Sequence, residues 1–391
     1  MQDWARKVTD GREKLPCTVA VITRDGERLV LGDGPLVLTV HVRTERGERA
    51  LRAMSLLGIC EAYIHDDLDF EGDLLEAASI QTKLTDREIF IKLWRRLKPY
   101  LMGRSKSNAD AIREAYDRNN IQLVAADENY HTYTPGIYES DRDSLEVGAR
   151  RKLQAAFDSL NLQPGDHLLD VGCGWGGFMR FCAERGVRAT GITLSKHQLA
   201  FVQRFIDQGL NAEVFYQDFF TYEPSRQFDA VSLMGVLEDL SDYRTVIERL
   251  TTWVRPGGRI YFDFAASKER HATSSFITKY IWPGVFRMVY LPELIEAVWR
   301  SPFELVLLDN DRLNYFRWAR ESDRRWIERK AKVLQQADEE TWRTFRLMHA
   351  GCANIMRDAT RGAAAYRMVL EMPQPAAQAR ARVREAVVAG V

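Results

Sequence analysis

A single stretch, LLDVGCGWGGF at residues 168–178, limits this chain more than any other feature. An apolar run delivers Asp170 to a turn in which glycine stands at 172, 174, 176 and 177. Glycine adopts backbone conformations closed to other residues and lets a ligand approach without a Cβ in the way. A strand that ends in such a turn and runs into a helix is the opening of a doubly wound α/β sheet, where ligands bind beyond the carboxyl ends of the strands. A tight turn with a purely structural purpose accounts for the glycines as well.

The flanking pattern supports the α/β reading. The helical segment ARRKLQAAFDSLNL precedes HLLDVGC, and the apolar strands RATGITL, AEVFYQ, FDAVSLM and RIYFDFA follow, separated by helical segments from Lys196 and over YRTVIERLTTWV. Alternation of this kind over 149–262 builds a mostly parallel sheet with helices on both faces. Upstream, 17–50 reads as short alternating strands with Asp-Gly turns at 25–26 and 33–34, and Ala50–Leu101 reads as helical. The polar stretch at 103–110 reads as a linker. Residues 319–370 return to a helical pattern, and the stretch from MPQP onward reads as a flexible tail.

Spacing argues against some ligands. A dinucleotide site wants an acidic residue at the end of the next strand, and that strand ends in GITLSKHQ; no GxxxxGK[ST] is present either. Lysine plus arginine and aspartate plus glutamate balance at 55 each, so no global field attracts nucleic acid. The five cysteines are scattered without CxxC spacing, and His131 and His197 have no partners at metal spacing, so neither a disulfide framework nor a metal site is expected. No secretory leader and no run of 18 apolar residues is found, and a cytoplasmic location is expected.

Two motifs in sequence, DVGCGWGG at 170–177 and GITLSKHQ at 191–198, resemble the paired signature of the cyclopropane-fatty-acyl-phospholipid synthases and mycolic acid cyclopropane synthases. AYDRNN at 115–120, SLEVGARRKL at 144–153, FITKYIWPG at 276–284 and GICEAYIHDDLD at 58–69 are similar to further motifs of that family, in the same order. The resemblance implies a Rossmann-like class I methyltransferase domain over 106–372, behind a small lipid-associated α+β N-terminal domain over 1–105 and before a tail at 373–391. It implies S-adenosyl-L-methionine as cofactor, with Asp170, Gly172 and Gly174 along its methionine part and ribose. Thr193, Leu194 and Gln198 would hold the ribose and amino acid ends, and Gln217 and Asp218 the adenine. Tyr133 and Thr134 fall on a Tyr-Ser pair that closes over the cofactor. Helix capping is the plainer explanation of Thr193 and Ser195.

The implied reaction adds the sulfonium methyl to an acyl-chain double bond, which leaves a carbocation in a pocket that must stay dry and contain a base. In the family a glutamate, with Cys, His and Tyr side chains, holds a bicarbonate that takes the proton. Glu238 matches the glutamate. Pro135 stands at the cysteine, Asp263 at the histidine, a residue near Ala319 at the tyrosine, and Ala115 replaces another family histidine. Bicarbonate is therefore doubtful, and Asp263 is a candidate to serve beside Glu238 as catalytic base; two close carboxylates raise one pKa. A solvated strand end is the bland alternative for Asp263, and a helix-start carboxylate that for Glu238.

The aromatics Phe276, Tyr280, Trp282, Phe286 and Tyr290 suit an acyl tunnel, or simply core. The basic, aromatic stretch at 89–106 suits peripheral contact with the inner face of a membrane, or equally an inter-domain or homodimer interface. The partner expected is an unsaturated acyl lipid at that surface, and the product is a cyclopropane or a methyl- or methylene-branched chain. A small-molecule methyltransferase and a noncatalytic lipid- or cofactor-binding protein are the competing readings.

Overall fold

The structure is a computed structural model that describes residues 15–86, 120–240, 242–270, 274–282 and 287–374. Its contacts divide the chain into two compact units that are not consecutive in sequence. The first gathers 1–126, 273–286 and 313–362; the second gathers 127–272, 287–312 and 363–391. The linker and the division near residue 105, the motif residues 115–119, the basic stretch at 89–106, Phe286 and the tail from 375 lie outside the described residues.

The first unit contains a four-stranded sheet of β1 (Thr18–Ile22), β2 (Arg28–Leu31), β3 (Leu36–Val42) and β4 (Leu68–Gly72), in the order β2-β1-β3-β4. Only the first Asp-Gly pair makes a hairpin. β3 lies parallel to β1 on the side away from β2, so Asp33-Gly34 carries the chain to the far edge of β1, and the Gly34 N–H donates to Thr18 Oγ1 at 2.7 Å.

The strand pattern expected to 50 stops at Val42, because Thr44 caps a helix over Glu45–Ala53 by accepting from the Gly47 N–H. The helical stretch expected from 50 is broken in turn. Met54 adopts a left-handed conformation, Ser55 caps a second helix over Leu56–Ile64, and β4 then pairs with β3. Helices Arg312–Glu328 and Glu339–Arg357 belong to this unit apart from Arg312 itself. Phe276, Tyr280 and Trp282 pack in a cluster with Leu57, Trp326 and Phe345, which makes them core of the first unit.

The second unit is built on β5 (His167–Val171), β6 (Arg188–Thr193), β7 (Ala212–Tyr216), β8 (Phe228–Met234), β9 (Val254–Ser267), the short β10 (Val289–Tyr290), β11 (Glu304–Asn310) and β12 (Ala363–Glu371). The sheet order is β11-β12-β9-β8-β5-β6-β7, with β10 alongside the end of β9. From β7 to β9 neighbouring strands are parallel; β12 is antiparallel to β9, and β11 to β12.

Residues 363–371 are thus a strand, against the helical expectation. Their alanines suggest helix, yet β12 pairs with β9 from Ala363 opposite Ser267 to Glu371 opposite Arg259, and burial between two neighbours overrides local propensity. β11, too, was not expected from its sequence. Chain order reverses between β5 and β8, which makes the crevice beyond their carboxyl ends the place for a ligand.

Candidate active site

Gly172, Gly174 and Gly176 have φ of +64°, +55° and +74°, so the turn after β5 takes a left-handed path that a side chain would strain. A Cβ added to Gly174 would meet only the Tyr133 ring, at 3.8 Å. The turn therefore faces the loop carrying Tyr133 and Thr134, and the Thr134 methyl lies against Gly235 at the end of β8.

That loop owes its shape to Asp127, a buried residue the sequence gave no reason to single out. Its Oδ1 accepts from the N–H groups of Asn129 and Tyr130, and its Oδ2 from the N–H and hydroxyl of Thr132. Farther along, the Ile137 N–H donates to Gly148 O, and the Tyr138 ring lies so close to Gly148 that any side chain there would collide with it. The loop is thereby docked on helix Leu145–Ser159.

The cofactor candidates after β6 form one hydrogen-bonded group. Ser195 caps helix Lys196–Asp207 by accepting from the Gln198 N–H, as the plainer explanation had it. Thr193 Oγ1 accepts from the Ser195 N–H and bonds the Gln198 side chain at 2.8 Å, and the Thr193 carbonyl accepts from the Gln217 N–H. Leu194 is half-buried between them. Gln217 is exposed at the end of β7, and Asp218 beside it accepts from the Phe220 N–H.

Three buried carboxyl groups mark the ends of the central strands. Asp170 accepts from Ser232 on β8 at 2.6 Å, and burial pushes it up to about 7 against the lowering effect of Ser232 and Lys152. Glu238 is 5% exposed; Oε1 accepts from the Ala265 N–H at 2.7 Å, and Oε2 has no partner. Burial pushes it up to about 8, with Asp239 and Asp263 adding to the rise and the Ala265 bond opposing it. Without its proton this group would be a largely desolvated charge, which is what a base facing a cation requires.

Asp263, on β9 opposite Met234, is neither solvated nor free. Its carboxylate meets Lys152 Nζ at 2.7 Å, and the same ammonium donates to Thr134 Oγ1 at 2.6 Å. Among the described residues of this unit, Lys152 is the fully buried basic side chain. Its signal in the sequence is positional: it falls in step with Leu145, Gly148, Ala149, Leu153 and Ala156, the stripe that helix Leu145–Ser159 turns inward. Cys173 is buried and its thiol is held well above the usual range, so packing is its part. Tyr290 lies in this unit, on β10, apart in assignment from the aromatics of the first.

Among the described residues no group of His, Cys, Asp and Glu is placed to hold a metal ion, and no helix is long and apolar enough to cross a membrane. A turn open to a ligand, a polar rim after β6 and β7, and buried acids with unpartnered oxygens on both Glu238 and Asp263 suit a cationic cofactor with ribose and adenine parts.

The sequence profile described as mycolic acid cyclopropane synthetase matches residues 103–363. A probable fatty acid methyltransferase of Mycobacterium tuberculosis is 30% identical over 325 residues, which cover 71% of this chain and 76% of that protein. A probable fatty acid methyltransferase of Pseudomonas putida is 28% identical over 84% of this chain and 86% of its own. Among solved structures, mycolic acid cyclopropane synthase CmaA1 complexed with SAH and CTAB superposes with a TM-score of 0.61 at 21% identity, covering 67% of this chain and 98% of that one. The glycine turn, the sheet order and the span of the profile agree: the chain belongs to the mycolic acid cyclopropane synthetase family of S-adenosylmethionine-dependent methyltransferases.

Proposed function

We propose that this enzyme adds the methyl carbon of S-adenosylmethionine to the double bond of an unsaturated fatty acyl chain in a phospholipid, which it reaches by peripheral contact with the membrane. The observation that carries the reading is the buried Glu238, one oxygen fixed by the Ala265 N–H and the other without a partner, on the segment that follows β8 beside the glycine turn. When bound, the cofactor supplies an electrophilic methyl group whose transfer leaves a neutral thioether and a cationic carbon on the acceptor. Glu238 then takes one proton from the acceptor, and the C–H electrons close either a new C–C bond or a double bond. Its desolvation strengthens attraction to a cation, and positive charge nearby favours the carboxylate over the acid.

A second reading concerns the product. Proline at 135, and an Asp263 committed to Lys152, leave little to hold a bicarbonate, which supports loss of the proton to Glu238 and an open-chain, methyl- or methylene-branched product. The names of the two relatives, fatty acid methyltransferases, are in keeping with transfer of a methyl carbon to an acyl chain.

The test is incubation of the purified protein with S-adenosylmethionine labelled in the methyl group and liposomes of a monounsaturated phospholipid. Label in the acyl chain is expected, and proton NMR of the released fatty acids separates ring methylene from vinylic signals. Binding of S-adenosylhomocysteine without any labelled lipid would remove the acyl acceptor and return the small-molecule reading.

A further inference from the structure

The Lys152 ammonium has two partners, on two different elements. One is the Asp263 carboxylate on β9; the other is the Thr134 hydroxyl, on the loop that faces the glycine turn. An ammonium only donates, so its contact with Thr134 must occupy an oxygen lone pair, and the hydroxyl proton is left to donate elsewhere. Thr134 stands over the carboxyl end of β8, with its methyl against Gly235. The loop and the lysine share one support: Tyr138 and Ile137 dock on Gly148, one helical turn before Lys152.

We infer that Lys152 is a positioning residue for the cofactor: anchored by Asp263, its ammonium holds the Thr134 oxygen so that the hydroxyl proton is presented to an acceptor atom of S-adenosylmethionine. The inference rests on the cofactor lying along the glycine turn. It also gives Asp263 a part different from a base. The carboxylate is the counter-charge that keeps an ammonium ion in a buried position, where an unpaired one would be expelled or neutralised. Threonine at 134 suits the task, because its methyl limits the rotamers from which the hydroxyl can be reached.

A merely structural ion pair would behave otherwise, and binding of S-adenosylhomocysteine by the full chain, followed by titration calorimetry, separates the two. Thr134→Val keeps the shape and removes the hydroxyl; it is expected to weaken binding about tenfold, the loss of one hydrogen bond assisted by a nearby charge. Thr134→Ser is expected to bind within about twofold of the parent. Lys152→Met alone strands the Asp263 charge, so the decisive variant is Lys152→Met with Asp263→Asn, which leaves no charge uncompensated.

That pair of substitutions is expected to fold, as thermal unfolding will report, and still to bind about tenfold more weakly, with Thr134→Val adding little on top. Binding by the double variant within about twofold of the parent, full additivity with Thr134→Val, or an unaffected Thr134→Val would each overturn the inference. Failure of the parent protein to bind at all would instead overturn the placement of the cofactor.

Discussion

Replacing Glu238 by glutamine keeps the shape of the side chain and the oxygen that accepts from Ala265, and removes the group that titrates. Its carboxyl rises from an ordinary 4.5 to about 8 in the folded protein. Below the lower value both folded and unfolded chains hold the proton, and the site is neutral with respect to pH. Between the two values the unfolded chain has released it while the folded chain retains it. The folded state then binds more protons, so stability falls as pH rises, by about 1.4 kcal/mol per pH unit. Across the window the loss amounts to about 5 kcal/mol, and above the upper value it is complete.

The Gln variant escapes this loss. It is expected to match the parent near pH 5 and to exceed it increasingly through pH 8, while methyl transfer is abolished because no base is left. Urea unfolding of the cofactor-free proteins at a series of pH values measures the difference, and background titrations such as that of Asp170 largely cancel between variants. A stability difference that stays constant from pH 5 to pH 8 would refute the reasoning, since it would mean that the folded protein does not hold the proton. The same measurement with S-adenosylmethionine present is expected to flatten the dependence, because a bound cation lowers the cost of the carboxylate.

Two further outcomes are expected. Gly174→Ala forces a methyl group onto a residue at φ +55° and into the space facing Tyr133; a cost of about 1 kcal/mol in stability should accompany a drop in S-adenosylhomocysteine affinity of at least about tenfold, and unchanged affinity in calorimetry would count against a ligand at the turn. Asp127→Asn replaces one of two acceptor oxygens, each facing two donors, by an NH₂ group; about 2–4 kcal/mol of stability should be lost together with cofactor affinity, and a melting curve and titration that both match the parent would show that the loop does not depend on it.

The central sheet was legible because its strands are buried on both faces and its glycine turn admits few alternatives: the stretches HLLDV, RATGIT and FDAVSLM lie where the alternation puts them, and RIYFDFA lies within the longer β9, which starts at Val254 and ends at Ser267. β11 and β12 were not. ELVLLDN is too short to show a period, and AAAYRMVLE is rich in residues that favour helix, so only pairing across long sequence distances makes them strands. Glu238 and Asp263 were singled out by resemblance, and nothing local to either reveals that each keeps an oxygen without a hydrogen-bond partner, or that Asp263 is paired with a lysine. Lys152 sits in KLQAAF beside two arginines, where charge reads as a wetted face; its place in the inward stripe was the sole local hint. Asp127 acts through backbone N–H groups, which a sequence does not display.

The pairing of β9 with β12 also has a consequence for synthesis of the chain. Ribosomes deliver β5 to β9 in succession, each able to dock on strands already made, but the partner of β9's outer edge follows only after 313–362, a segment that folds with the other unit. Until Ala363–Glu371 emerges, nascent β9 presents a long row of unpaired backbone groups, which is the kind of edge that recruits stray strands. Chaperone demand and misassembly during translation should therefore concentrate in that interval, and chains halted before residue 363 should be markedly less soluble than finished ones.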